Sequence, residues 1–289
     1  MSAPGNDRGY TGAATRTRVV GDSTITYREL GRPGGIPLVV LVHLGANLDN
    51  WDPRVMDGLA ETRHVIAVGY QGVGSSTGAV RDSIEAMADD VIAFVEALGT
   101  DQIDILGLSM GGMVAQAIVS RRPQMVDRLI LASTGPAGGP GLTAMTKVTV
   151  RTTLRAMARF TDPKTLLFFT RSSSGRNAAK EYLARLAERV ADREKPVIPA
   201  VFAAQLRAVH RWGGQSASDR DAFTGPVLLV HGEDDLMVPV TNAADLQRRL
   251  PQATLKIYPH AGHGAVFQNH ADFVTTATAF LRRTVTPDP

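Results

Sequence analysis

Short apolar runs alternate along this chain with segments of helical periodicity. Runs that suit buried strands cover residues 37–43, 64–68, 103–108, 129–132, 227–230 and 254–258, and two further strands are expected at 17–20 and 24–30. Helical patterns cover residues 83–98, 110–121, 241–250 and 272–283. This alternation is typical of a mostly parallel sheet flanked by helices, and mostly apolar strands fit a sheet buried on both faces. We predict an α/β fold with a mostly parallel central sheet.

The alternation is interrupted once, after the glycine-rich loop GPAGGPG at residues 135–141. About eighty residues follow with helical periodicity alone. The sequence therefore predicts a helical cap over residues 138–221, inserted into an α/β core made of residues 17–137 and 222–289. Residues 1–16 contain no apolar stretch, and we expect a flexible N-terminus there.

Composition excludes several classes of protein. The 289 residues include no Cys, which removes disulfides and thiolate chemistry. The net charge of +3 is not typical of a nucleic-acid-binding protein, so we expect no nucleic-acid partner. No apolar run is long enough for a membrane span or a signal peptide. We therefore expect no membrane association and a cytoplasmic location.

A serine stands at the turn between a predicted strand and a predicted helix, in the motif GLSMGG at residues 107–112. Glycines beside Ser109 leave room for a sharp turn that would hold its hydroxyl above the sheet edge. The helix would point its first amides and the positive end of its dipole at the same place, where an oxyanion would be stabilised. This context predicts a nucleophile at Ser109 rather than an ordinary glycine-flanked turn.

A serine hydroxyl needs a base and a carboxylate to become a strong nucleophile, and both follow later in the chain. The segment HGEDDLMVP follows a predicted strand and contains three adjacent acids, Glu233, Asp234 and Asp235. The segment YPHAGHG follows the last predicted strand and contains His260 and His263. Both segments lie at the carboxyl ends of strands, where the sites of open α/β sheets form. The order serine, acid, histidine is that of a nucleophile-elbow triad.

These motifs resemble the α/β-hydrolase fold family of serine hydrolases, and the resemblance extends over about residues 17–283. It implies a catalytic triad of Ser109, Asp235 and His263. The family's acid is the fourth residue of G-x-x-D, which is Asp235 here, and its histidine lies in G-H-G, which is His263.

The loop after the third predicted strand departs from the family pattern. Relatives carry His-Gly at this point, whereas this chain has one residue, Leu44, between His43 and Gly45. The resemblance implies an oxyanion hole formed by the backbone amides of Met110 and Leu44. We also expect His43 to contact the substrate.

A second departure lies at residues 69–76, GYQGVGSS, where relatives commonly carry D-x-R-G-x-G-x-S. The glycines are kept and both charges are absent. Either a structural ion pair has been lost as a unit, or Tyr70 and Gln71 reshape the pocket wall for an unusual substrate. The second interpretation makes Tyr70 a substrate-binding residue.

Apolar residues of the predicted cap line either a substrate pocket or the cap's own core; they are Leu166, Phe168, Phe169, Phe202, Leu206 and Trp212. We expect substrate contacts from Phe169, His210 and Trp212. Two rows of arginines at four-residue spacing each lie on one helix face, where they are either solvated or attract a carboxylated substrate. The rows are Arg151, Arg155 and Arg159, then Arg185, Arg189 and Arg193.

The predicted function is hydrolysis of a small or medium carboxylic ester or lactone through an acyl-enzyme on Ser109. The motif around Ser109, followed by Met113 and Gln116, resembles enol-lactonases. Two alternatives keep the triad: a carbon–carbon bond hydrolase or cofactor-free perhydrolase, and a non-hydrolytic ligand-binding or tailoring protein. The chain contains no P-loop, no complete dinucleotide fingerprint and no zinc motif, so we expect no cofactor and no metal.

Overall fold

A computed structural model describes residues 9–216 and 223–282 of the chain. The strands are β1 (Arg16–Val20), β2 (Ser23–Leu30), β3 (Leu38–Leu41), β4 (Val65–Val68), β5 (Ile103–Leu108), β6 (Val126–Ala132), β7 (Val227–Gly232) and β8 (Thr254–Tyr258). The helices are α1 (Gly9–Gly12), α2 (Pro53–Ala60), α3 (Ile84–Ala97), α4 (Met110–Arg121), α5 (Leu142–Met157), α6 (Pro163–Phe168), α7 (Ser173–Ala187), α8 (Pro199–Gly213), α9 (Thr241–Arg249), α10 (Ala265–Gln268) and α11 (His270–Arg282). Within these described ranges, no helix combines the length and the apolar character that a membrane span needs.

The described strands form one eight-stranded sheet in the order β1-β2-β4-β3-β5-β6-β7-β8. β2 pairs antiparallel with both β1 and β4. The remaining neighbours in the sheet, from β4 and β3 through to β7 and β8, pair parallel. Helices pack against the sheet, with α3 beside α4 and α2 beside α11. All residues of β3, β4, β5 and β7 are buried as a result. The predicted α/β fold with a mostly parallel sheet flanked by helices is confirmed.

Helices α5 to α8 lie between β6 and β7, and residues 142–213 are called the helical insertion below. Described residues 138–216 contain helices and turns but no strand, in keeping with their helical periodicity. The predicted boundary at residue 221 lies outside the described residues. The amide of Gly138 donates to the carbonyl oxygen of Trp212 at 3.0 Å, so the two ends of the insertion meet where the chain leaves the sheet.

The expected flexible N-terminus is corrected from residue 9 onward, and residues 1–8 lie outside the described part of the chain. Tyr10 is buried, and its hydroxyl donates to the Leu48 carbonyl oxygen at 2.6 Å. Arg189 of the segment after α7 donates to the carbonyl oxygens of Tyr10 and Ala13 at 3.1 and 2.9 Å. One buried aromatic ring and a few backbone acceptors anchor this segment, although its composition is that of a loop.

Arg185 and Arg189 of the second arginine row are neither solvated nor open to substrate, which corrects both interpretations for these two residues, whereas Arg193 is exposed. Arg185 is buried and donates to both carboxylate oxygens of Asp52 at 2.7 to 3.0 Å. Arg189 is also buried and lies 3.5 Å from Asp49. Both carboxylates belong to the core segment that leads into α2. This row therefore docks the insertion on the core.

We expect Arg185→Met to lower the free energy of unfolding by about 3–5 kcal/mol, because the buried Asp52 carboxylate loses its ion-pair partner. Urea unfolding followed by circular dichroism measures the change. Arg151→Met, at an exposed position of α5, is the control and should change stability by less than about 0.5 kcal/mol. A loss below about 1 kcal/mol for Arg185→Met would contradict the docking role.

The buried Asp104 of β5 makes stability depend on pH. Burial raises the pKa of its carboxyl to about 7, although Arg63 lies 3.3 Å away. An acid with a folded pKa above its unfolded value destabilises the fold as pH rises through that interval, here from about 4 to about 7. Asp104→Asn should therefore gain stability relative to the wild type as pH rises over this window. Urea midpoints at about pH 4.5 and about pH 8 test this, with the exposed Asp101→Asn as control. An equal difference in urea midpoint between Asp104→Asn and the wild type at both pH values would refute this prediction.

Candidate active site

Ser109 lies in the turn between β5 and α4. Its backbone has φ 55° and ψ −117°, a region that residues other than glycine rarely occupy. Its amide donates to the Ala132 carbonyl oxygen at 2.9 Å, and the Thr134 hydroxyl donates to the Ser109 carbonyl oxygen at 2.7 Å. Contacts from the end of β6 therefore hold this strained turn in place.

Two glycines allow α4 to approach the sheet closely. A Cβ atom on Gly111 would overlap the carbonyl oxygen of Leu41, and one on Gly107 would lie 2.5 Å from the carbonyl oxygen of Gly111. Larger residues at either position would push the helix away from the strands. The first turn of α4 therefore stays next to the end of β3.

His263 connects Ser109 to Asp235. Its Nε2 lies 2.8 Å from Ser109 Oγ, and its Nδ1 lies 2.7 Å from Asp235 Oδ2. All three residues are buried. With a neutral imidazole, Nδ1–H donates to the carboxylate, which can only accept, and Nε2 accepts the hydroxyl proton. Side chains from three separate loops thus form one row of hydrogen bonds.

Of the three adjacent acids, Asp235 is the one that reaches His263. Glu233 and Asp234 are exposed, whereas Asp235 is buried. Its Oδ1 accepts hydrogen bonds from the backbone amides two and three residues later, at 2.8 and 2.9 Å. The loop after β7 therefore turns this carboxylate inward and its neighbours outward.

The surroundings of Asp235 keep it ionised. Burial by itself would raise the pKa of this carboxyl, but attraction to His263 and hydrogen bonds from His231 and His263 outweigh burial and hold the pKa well below its usual range. His231 Nε2 lies 3.4 Å from Asp235 Oδ2 and donates to the Val238 carbonyl oxygen at 2.9 Å. Asp235 can therefore stabilise a positive charge on His263.

The loop after β3 lies beside Ser109. β3 ends at Leu41, two residues before its predicted end, and His43 and Leu44 border the same cavity as Ser109. His43 Nδ1 donates to the Leu44 carbonyl oxygen at 2.8 Å, since a carbonyl only accepts. Burial lowers the pKa of His43 to about 3, so its ring is neutral at neutral pH. Met110 is the first residue of α4.

A cavity of about 440 Å3 opens on Ser109 and His263. Its surface is mostly apolar and includes one ion pair, between Asp162 and Lys164 at 3.0 Å. In the described part of the chain, no group of three or more His, Cys, Asp or Glu is arranged to hold a metal ion. The lining residues are His43, Leu44, Gly45, Ser109, Thr149, Thr153, Met157, Asp162, Pro163, Lys164, Leu167, Phe168, Val197, Pro199, Phe202, Met237 and His263.

The expected substrate contact of Tyr70 is corrected, because neither Tyr70 nor Gln71 lines this cavity. Tyr70 is buried, and its hydroxyl donates to the Val42 carbonyl oxygen at 3.2 Å. Gln71 is also buried, and it lies 3.5 Å from Arg81. Packing directs both side chains into the core, so this departure from the family pattern leaves the cavity wall unchanged.

Three expected contacts from the insertion are corrected as well. Phe169 is buried and packs against the ring of Tyr182, and the preceding residue Phe168 lines the cavity instead. Trp212 Nε1 donates to the Gly135 carbonyl oxygen at 3.1 Å, away from Ser109's cavity. His210 is exposed and does not line it. Helical periodicity identifies an apolar face but not which of two neighbours faces the cavity.

Gln205 of α8 contacts the site although no motif points to it. It is fully buried, and its Oε1 accepts a hydrogen bond from the Gly45 amide at 2.7 Å. The sequence signal that could have identified Gln205 is its position on α8, because the same helix face buries Val201, Val209 and Trp212. A polar side chain among such residues requires a hydrogen-bond partner.

Known proteins resemble this chain over most of its length. A family model described as the alpha/beta hydrolase fold matches residues 37–270. A solved alpha/beta hydrolase fold protein from Chitinophaga pinensis is 33% identical, with a TM-score of 0.90 over 96% of this chain and 100% of that one. The pimeloyl-[acyl-carrier protein] methyl ester esterase of Nitrosomonas europaea is 27% identical over 248 residues, which are 84% of this chain and 94% of that protein. The enol-lactonase from Burkholderia xenovorans is similar in fold, with a TM-score of 0.73 at 20% identity over 93% of this chain and 100% of that one.

Proposed function

The chain belongs to the alpha/beta hydrolase fold family, and on that premise we propose that it is a serine hydrolase of small or medium carboxylic esters or lactones. The proposal rests mainly on one observation, the buried row of hydrogen bonds from Ser109 through His263 to Asp235, at 2.8 and 2.7 Å. Relatives named as hydrolases and esterases show that the chain is an enzyme, and they support an ester substrate. The reaction follows from that row.

Ser109 Oγ attacks the carbonyl carbon of the ester while His263 Nε2 takes the hydroxyl proton. The two atoms already lie within hydrogen-bond distance, so the proton moves without a rearrangement of the side chains. The ionised Asp235 holds Nδ1–H and stabilises the imidazolium that forms. The carbonyl π electrons move onto oxygen, which becomes an oxyanion.

Backbone amides stabilise the oxyanion in this proposal. Met110 supplies one from the first turn of α4, where the helix dipole also favours negative charge. Leu44 supplies the other from the loop after β3. The glycines permit a close approach of α4 to the end of β3, and this proximity supports the pairing of the two donors.

His263 then returns its proton to the leaving alkoxide as the carbon–oxygen bond breaks, and the acyl group remains on Ser109. Water attacks this acyl-enzyme while His263 takes one of its protons, and the acid is released as Ser109 regains its proton. A lactone gives one hydroxy acid, because its alcohol and acid belong to the same ring.

The helical insertion acts as a cap over this site. Phe168, Val197 and Phe202 contribute apolar surface to the cavity beside Ser109. A volume of about 440 Å3 lies within the range of small-molecule sites. An apolar wall of this kind favours a hydrocarbon acyl group. The names of two relatives, a methyl ester esterase and an enol-lactonase, agree with an ester or lactone substrate.

We expect a fluorophosphonate probe to label Ser109 in the purified protein and Ser109→Ala to remain unlabelled. Asp235→Asn should lower kcat by about 10⁴-fold, because the histidine loses the tautomer and the charge stabilisation that it needs. Asp234→Asn changes an exposed neighbour and should hydrolyse p-nitrophenyl esters like the wild type. Peptide mass spectrometry and ester hydrolysis are the two measurements. Folded wild-type protein that neither labels nor hydrolyses esters or lactones would exclude the hydrolase and favour a ligand-binding protein.

Enlarging a cavity residue should shorten the acyl chain that the enzyme prefers. Leu167→Trp places a larger ring in the cavity, so kcat/KM for octanoate esters should fall about 10-fold or more relative to acetate esters. Leu166→Trp changes a neighbour that does not line the cavity and should leave this ratio near that of the wild type. A p-nitrophenyl ester series from acetate to octanoate measures the ratio. An equal change of the octanoate-to-acetate ratio of kcat/KM in both variants would refute the assignment of this cavity to the acyl group.

A further inference from the structure

We propose that Gln205 is a positioning residue for the oxyanion loop, the segment His43–Gly45 after β3. Gln205 belongs to the helical insertion and holds this loop by a hydrogen bond to the peptide unit between Leu44 and Gly45. The inference rests on the proposed function, since it concerns the Leu44 amide that would bind the oxyanion. Gln205 itself does not line the cavity. Its effect on the reaction is therefore indirect and passes through the loop.

The peptide unit between Leu44 and Gly45 is held at both of its polar atoms. Its carbonyl oxygen accepts from His43 Nδ1 at 2.8 Å, and its N–H donates to Gln205 Oε1 at 2.7 Å. A planar peptide bonded at both ends cannot rotate without breaking one of the two hydrogen bonds. The Leu44 N–H belongs to the preceding peptide plane, which shares the Leu44 Cα atom. Its direction therefore depends on where the held plane lies.

A second contact from the same helix presses on this loop. Gly45 has φ +72°, in the left-handed region that favours glycine. A Cβ atom there would lie 2.8 Å from two carbons of the Phe202 ring, so the ring rests directly on the loop backbone. Phe202 and Gln205 are three residues apart, which places them on neighbouring positions of one helix face. The oxyanion loop thus contacts one ring and one amide of α8.

The hydrogen bond between Gly45 and Gln205 is protected from water by burial of the Gln205 side chain. Gln205 has no exposed surface, so water does not replace its oxygen without movement of α8. Removing the acceptor would leave the Gly45 N–H without its protein partner. The Gln205 Nε2 group has no hydrogen-bond partner in the described part of the chain, so the contact that matters is made by the side-chain oxygen.

This arrangement predicts an effect on kcat rather than on KM. Substrate binding in the apolar cavity does not depend on the direction of the Leu44 N–H, whereas stabilisation of the oxyanion does. An interaction realised only in the transition state changes kcat when it is lost. The insertion would then shape the pocket and also complete the oxyanion hole, through the Gln205 side chain of α8.

The test compares three substitutions of Gln205 in steady-state hydrolysis of a p-nitrophenyl ester. Gln205→Leu has no acceptor, Gln205→Asn is too short to reach Gly45, and Gln205→Glu keeps an oxygen in place. We expect the leucine and asparagine variants to lose roughly 10- to 100-fold in kcat with KM within about threefold, because a misdirected donor forfeits part of the contribution of an oxyanion contact. The glutamate variant should stay within about threefold of the wild type.

Arg207→Leu is the matched control, since Arg207 is exposed on the same helix and should give wild-type kcat and KM. Circular dichroism and Tm establish that each variant is folded, and Gln205→Asn tests the same contact if the leucine variant does not fold. Wild-type kcat in folded leucine and asparagine variants would overturn the inference and leave the proposed triad standing. A raised KM with unchanged kcat, or a glutamate variant as impaired as the leucine variant, would also overturn it. A wild type that neither labels with fluorophosphonate nor turns over esters would overturn the proposed function, and the inference with it.

Discussion

Parallel pairing of β3, β5, β6, β7 and β8 is the constraint on which the rest of this molecule depends. Parallel strands end at the same edge of the sheet, so the loops that follow them emerge side by side. Those loops carry Leu44, Ser109, Asp235 and His263. Ser109 and His263 are 154 residues apart in the chain, and the strand order brings their side chains to 2.8 Å. The helices that bury both faces of the sheet make this edge a rigid support for the site.

Charged side chains determine how the insertion sits on that support. Asp49 accepts a hydrogen bond from Arg28 of β2 at 2.6 Å and lies 3.5 Å from Arg189, while Asp52 pairs with Arg185. These carboxylates are buried, so each requires its partner, and the guanidinium geometry allows few relative positions. The wall that α6 and α8 contribute to the cavity is therefore positioned by ion pairs that do not line it.

Local sequence patterns indicated the features that have a local physical cause. Apolar runs indicated the strands because a sheet covered on both faces admits few polar residues. Glycines around Ser109 indicated the turn because a helix can approach the sheet there only if Cβ atoms are absent. Side-chain direction has no such local signature. Tyr70, Phe169 and Trp212 are aromatic residues that we expected to contact the substrate, and packing directs each of them away from the cavity.

By itself, the sequence determined the α/β architecture, the place of the insertion and the chain order of serine, acid and histidine, because periodicity and glycine placement act over a few residues. The tertiary structure decided that Arg185 and Arg189 dock the insertion and that Gln205 reaches the loop after β3. Gln205 and Gly45 are 160 residues apart, and their hydrogen bond forms only when two distant elements are packed together. Contacts of this kind depend on the relative placement of elements, and no short stretch of sequence encodes that placement.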